Sequence, residues 1–374
     1  MADVVALGQP TVGDEELAAV AEVFRSGWLA GNGPTSRRLE AAFSDVAGTA
    51  HALAVSNCTA ALHLAFLGLG LKAGDQVLVA DYTFPATGHA VMFTGATPVF
   101  VDVRPDIWTI DPAQVEAAIT ERTVGIAAVD VFGQCADYDE LAAIAAKHGL
   151  WLVEDAAAGS GATYRGRPAG SLADAACFSF HGRKGITSGE GGALTTNRPE
   201  VDAVARKIHA FGISSALDRA GAKDLPVPEF DELGYNYKLS DIAAAIMLVQ
   251  LERLPMLIKA RQGVADGYAE RLADLDAVTL PVAGPDRGHV WQSYVLTLAP
   301  SVDRAAVARQ LREAGVQCTF GTYASHLQPL YGFGQTCPVS ADLFRRHLAI
   351  PMHANLTSDD LDRVAAAVRT AVTG

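Results

Sequence analysis

Cys177-Phe-Ser-Phe-His-Gly-Arg-Lys-Gly-Ile-Thr-Ser-Gly-Glu-Gly-Gly192 is an apolar run that breaks into a polar, glycine-rich loop carrying one lysine. A strand is expected to end near Phe180, and a second strand to begin at Gly192. Working back from this stretch, short apolar runs recur at Ala52 to Val55, Gln76 to Ala80, Thr97 to Asp102, Val124 to Val129 and Leu150 to Glu154. Amphipathic stretches such as Ala60 to Leu69, Pro112 to Ile119 and Tyr138 to His148 lie between several of them. Strand, helix, strand at this spacing reads as βαβ units and a largely parallel sheet. The runs are apolar throughout rather than alternating, as expected where helices cover both faces. Gly and Pro mark the ends, as at Gly74-Asp75, Gly95 to Pro98 and Gly149.

Beyond the sheet, Ser240 to Lys259 reads as a long helix broken or bent at Pro255. Val290 to Leu298 reads as a strand, Asp303 to Ala314 as a helix, Gln317 to Thr322 as a strand and Thr357 to Val372 as a terminal helix. The expected architecture is an α/β domain over residues 1–255, with an N-terminal arm and a mainly parallel sheet flanked by helices. A smaller α+β domain follows over 256–374.

The chain has 374 residues, half of them hydrophobic, enough for a core without covalent staples. Its net charge of -13 opposes a nucleic-acid footprint, which needs basic patches. The five cysteines show no C-x-x-C spacing, so neither a disulfide framework nor a metal site is indicated. No run reaches the ~20 apolar residues of a membrane span, and Met1-Ala2-Asp3 does not open a signal peptide. A reducing cytoplasm fits these features.

Of seven lysines, only Lys184 combines a strand end, a glycine-rich loop and a dense polar neighbourhood. In open α/β sheets, ligands bind at the carboxyl ends of strands. Asp155, in Leu152-Val-Glu-Asp-Ala-Ala157, ends another strand and faces the same crevice. A carboxylate there suits the protonated ring nitrogen of a pyridine-type cofactor; taken alone, it reads more readily as a cap on the next helix. In Val55-Ser-Asn-Cys-Thr-Ala-Ala-Leu62 a strand runs into a helix N-terminus, whose free N–H groups suit a phosphate. Thr59 and the Ala60 amide are the donors this suggests, or the segment is a plain N-cap. Phe84, in Asp81-Tyr-Thr-Phe-Pro-Ala-Thr87, is either a ring-stacking residue or core.

Together with Gly27-Trp-Leu-Ala-Gly31, Gly234-Tyr-Asn-Tyr-Lys-Leu-Ser-Asp241 and Gln250-Leu-Glu-Arg253, these segments resemble the DegT/DnrJ/EryC1/StrS family. These are sugar aminotransferases of pyridoxal-phosphate (PLP) fold type I. The resemblance implies that Lys184 holds PLP as a Schiff base and then moves protons, cycling with the pyridoxamine form. It implies that Asp155 pairs with the ring nitrogen, that Ser179, Thr59 and the Ala60 amide bind the phosphate, and that Phe84 stacks on the ring. Asn236 would reach the phosphate of a neighbouring subunit, making a homodimer with shared sites. Tyr323 and His326 resemble a substrate-side segment, and the loop from Trp28 to Pro34, with the stretch from Ala216 to Phe230, would add substrate contacts. The donor would be L-glutamate and the acceptor a nucleotide-linked 4-keto-6-deoxy sugar. A 3-keto sugar, a keto-cyclitol, or a non-enzymatic PLP-binding regulator are the alternatives. The chain departs from the family pattern at Ala158, where relatives carry Gln or His, at Asn57-Cys58, and in Phe320-Gly-Thr-Tyr323, which lacks a His before Tyr.

Overall fold

The strand Gln76–Ala80 is buried at every position. Its alternate side chains enter two different cores: Leu78 and Ala80 join one, Val77 and Val79 the other. The neighbouring strands divide the same way, with Ala52, Ala54, Ile126 and Ala128 on one face and Leu53, Val55, Ala127 and Val153 on the other. A side-chain period of two on a sheet covered by helices therefore yields the unbroken apolar runs of the sequence. Burying each Val, Leu or Ile contributes about 1.5–3 kcal/mol.

The structure, a computed structural model, describes residues 4–213, 227 and 229–373. Seven strands form the central sheet in the order His51–Val55, Gly192–Thr196, Ala175–Ser179, Trp151–Asp155, Thr123–Val129, Gln76–Ala80, Thr97–Val101. Pairing is parallel except around Gly192–Thr196, which runs antiparallel to both neighbours. The mainly parallel α/β sheet expected from the sequence is thus present, with one reversed strand.

Helix Asp241–Leu272 is continuous through Pro255 and ends well beyond the expected Lys259. The expected domain boundary at 255 falls inside it. Its C-terminal half packs Val264 and Tyr268 into a third core with Leu296, Val307 and Val364. There a second, antiparallel sheet has the order Val278–Thr279, Tyr294–Leu298, His347–Ile350, Thr319–Phe320. Helices Arg304–Glu313 and Ser358–Thr373 cover it. The N-terminal arm is tied to this part: Val5 bonds Gly315 and Gln317, and Leu7 O accepts from Met352 N at 3.0 Å. All five cysteines are buried and unpaired.

Gly192 opens the reversed strand directly beneath the next helix. A Cβ there would lie 2.6 Å from Phe178 O and 2.8 Å from Cys58 N, backbone atoms that cannot swing aside. Gly192→Ala is expected to destabilise the fold by about 1–3 kcal/mol, read as a lower urea midpoint at unchanged m-value.

Candidate active site

Five strands deliver their carboxyl ends to one cleft. Asp155 and Ser179 are the last residues of their strands, and Ser56, Asp81 and Asp130 follow directly on Val55, Ala80 and Val129. The cleft holds a cavity of about 400 Å³. Lys184, Asp155, Thr59, Phe84 and Ser179 all line it. Leu7 and Gly8 of the N-terminal arm, and Gln292, Thr322 and Met352 of the C-terminal part, close its other sides.

The lysine loop is fastened to itself. Phe180 N donates to Gly191 O and Gly182 N to Gly189 O, each at 2.9 Å, and Lys184 N to His181 O at 2.8 Å. From outside, Arg261 of the long helix donates Nη2 to Lys184 O at 3.3 Å, and Gln292 donates Nε2 to Arg183 O at 3.0 Å. Arg261 is buried, and its guanidinium sits where a Cβ on Gly185 would come within 2.8 Å of Nη1. Burial lowers the Lys184 pKa from the usual lysine range; the nearby Cys58 and Asp155 oppose this and Arg183 adds to it.

Asp155 is buried, and burial raises its carboxyl pKa. Thr87 Oγ1 donates to Oδ2 at 2.7 Å and Ala157 N to Oδ1 at 3.2 Å, and both stabilise the charged form. Cys58 Sγ lies 4.0 Å from Oδ1. At the other end of the cavity, helix Cys58–Gly68 begins at Asn57, whose Oδ1 accepts from Ala60 N at 2.8 Å. The Ala60 amide, expected as a phosphate donor, is therefore occupied. The first two amides of the helix, at Cys58 and Thr59, have no acceptor among the described residues, as a helix N-terminus leaves them.

The remaining expected residues do not line the cavity. Tyr323 packs edge-on against Phe84, with ring centroids 6.0 Å apart, and its strand pairs with Thr83. His326 is turned to Asp81: its Nδ1 and its backbone N each lie 2.7 Å from a carboxylate oxygen of that residue. Trp28 is half exposed and packs on Gly33. Asn236 is exposed and accepts from Lys238 Nζ. The stretch from Ala216 to Phe230 lies mostly outside the described residues. The sequence reading missed Thr87, Asp130 and Arg261. Asp130 carried the same signal as Asp155, an acid directly after an apolar strand; Arg261 carried none.

The DegT/DnrJ/EryC1/StrS aminotransferase family model matches residues 10–369. The chain belongs to this family. It is similar to GDP-perosamine synthase of Caulobacter vibrioides, 36% identical over 375 residues and covering 97% of each chain. It is similar in structure to the aminotransferase TlmJ of Streptoalloteichus hindustanus, with a TM-score of 0.92, 32% identity and 98% of each chain covered. A sugar aminotransferase from Streptococcus pneumoniae, Spr1654 in its PLP form, matches with a TM-score of 0.92 at 26% identity, covering 99% of this chain and 98% of that one. The family consists of PLP-dependent sugar aminotransferases, and this chain is one of them.

The residues present suit that cofactor: an amine, a buried carboxylate, a hydroxyl and two free helix amides surround one cavity. A primary amine attaches such a cofactor only in its neutral form, so with Lys184 as the attaching group the reaction would quicken with pH up to a midpoint below the usual lysine value. Arg183→Gln removes a cation that lowers the Lys184 pKa, and is expected to move this midpoint upward. The check is the rate of cofactor absorbance change against pH.

Proposed function

We propose that the protein transfers an amino group from L-glutamate to a nucleotide-linked 4-keto-6-deoxyhexose. The observation that carries this reading is the convergence of the Lys184 amine, the Asp155 carboxylate and the unpartnered Cys58 and Thr59 amides on one cavity. Lys184 would hold PLP covalently, Asp155 would keep the proton on its ring nitrogen, and Ser179 with the two amides would hold its phosphate. Phe84 would cover one face of the ring. PLP supplies an electron sink that makes the donor's Cα–H acidic. Lys184 Nζ, with its lowered pKa, would accept the Cα proton as general base and, as general acid, deliver it to the carbon on the far side of the amino nitrogen, two bonds away. Leu7 and Gly8 of the N-terminal arm and Met352 of the C-terminal part, which close the other sides of the cavity, would limit water around that transfer.

The similarity to GDP-perosamine synthase supports a nucleotide sugar as acceptor. Tyr323 would act on the sugar side through its contact with Phe84, and His326 would fix that segment against Asp81. Trp28 would contribute from the Trp28–Pro34 loop. A second copy of the chain would complete the site. Asn236 stands exposed on a surface with Phe211, Phe230 and Leu233, which are respectively 46%, 64% and 81% exposed. Such a cluster suits an interface.

Lys184→Ala should abolish both turnover and the absorbance band of the attached cofactor; a full-strength band in the variant ends the assignment. In the wild type, L-glutamate alone should convert that band stoichiometrically. For the shared site, Asn236→Ala and Lys184→Ala proteins, each inactive, are mixed under subunit exchange. Recovery of about a quarter of wild-type activity is expected, because half the dimers then hold one intact site of two.

A further inference from the structure

Behind Asp155 lies a second pair of acids that the mechanism does not use. Asp130 follows strand Thr123–Val129, and its N–H donates to Asp155 O at 3.0 Å, so the two strand ends lie side by side. Glu154 precedes Asp155 and points the opposite way, as alternation along a strand requires. Both side chains are fully buried.

Of their four carboxyl oxygens, two have donors among the described residues and two do not. Asp130 Oδ1 accepts from Tyr138 Oη at 2.9 Å and from Ala136 N at 3.1 Å. Glu154 Oε2 accepts from Gly170 N at 3.0 Å and Leu172 N at 3.4 Å. The other two oxygens, Asp130 Oδ2 and Glu154 Oε1, are buried with no donor among the described residues. A carboxylate oxygen of each residue and the Cys135 sulfur lie within 4.8 Å of one another. Two adjacent buried carboxylates cannot both ionise, and one proton between the two donorless oxygens satisfies both. Burial and the charge of Asp130 raise the Glu154 pKa well above the carboxylate range, and burial raises that of Asp130 to about 6.

The groups facing the pair are few. Asp155, Cys135 and Tyr138 are on the neighbouring elements, and none is a cation. Arg287, the cation beside Cys135, bonds Asp137 and the Cys135 carbonyl rather than the pair, and Lys184 lines the cavity that Asp130 also reaches. Asp130 itself lines the catalytic cavity.

We propose that Glu154 holds a proton for Asp130, and that the resulting fixed negative charge on Asp130 is a positioning element for protons in the catalytic cavity, reinforcing Asp155. This rests on the reading of Asp155 as the partner of the cofactor ring. Glu154 is in effect an internal acid whose only task is to let Asp130 stay charged beside Asp155 without a cation.

Glu154→Gln reproduces the protonated acid, with an amide that donates to Asp130 Oδ2 while its oxygen keeps the Gly170 and Leu172 bonds. The infrared spectrum of purified wild type at neutral pH should hold a protonated-carboxyl C=O band that Glu154→Gln lacks; its absence from the wild type overturns the shared proton. In the holoenzyme, the pH midpoint of the cofactor absorbance should be unchanged in Glu154→Gln. It should fall by about one pH unit in Asp130→Asn/Glu154→Gln, which removes the charge and keeps the shape. An unmoved midpoint in the double variant, or an equal fall in Glu154→Gln, overturns the role. Asp155→Asn separates the two readings: if it leaves the cofactor spectrum unmoved, the cofactor assignment fails, while the infrared band still decides the proton between Asp130 and Glu154.

Discussion

The Asp155 carboxylate is the constraint around which this molecule is organised. It sits at the end of a central strand, out of water, and no cation pairs with it directly. Burial alone would neutralise it. The hydroxyl of Thr87 and the Ala157 amide counter that by donating to it, with the Lys184 amine adding a favourable charge. Lys184 suffers the mirror-image strain, an amine drawn out of solvent with Arg183 near it. Burial opposes the charged form of both groups. A bound molecule presenting a positive ring nitrogen to one and an electrophilic carbon to the other would relieve both.

The readable parts of this site share one property: each acts from its own segment. Lys184 and Asp155 stand out because strand, turn and polar residue are contiguous in sequence, whereas Ser179 entered only through the family resemblance. Thr87 and Asp130 depend on which strand ends lie next to one another, and that order exists only in the folded sheet, where Val129 stands beside Asp155. A five-residue strand also carries no direction, so the reversal of Gly192–Thr196 could not be read. His347–Ile350 is four residues squeezed between a helix and Pro351, too short for a period to appear. In the helix Cys58–Gly68, the donors at its start were legible as a group, but the choice of Asn57 as cap removed Ala60 from them.

The departures from the family pattern fall on the cofactor side of the cavity as well as the substrate side. Ala158 presents a methyl where relatives present a polar side chain, and Cys58 places a sulfur against Asp155. Asp130 and Gln292 line the same cavity and are the polar groups nearest in kind to what Ala158 lacks. The polar lining of this cavity thus comes from strand ends and from the C-terminal part, with only a methyl at the position three places beyond Asp155.

Arg261 gives the long helix a mechanical meaning. The helix roots in the central sheet's flank at Asp241, where Ser36 and Thr35 bind its carboxylate, and ends in the C-terminal core at Leu272. Midway, the guanidinium grips the carbonyl of the reactive lysine. One continuous helix, held at both ends, thus touches the backbone of the Lys184 loop. The Lys184 loop is thereby tied by side chains to two elements beyond its own strand, the long helix through Arg261 and the C-terminal part through Gln292, so a displacement of either would be felt in its backbone.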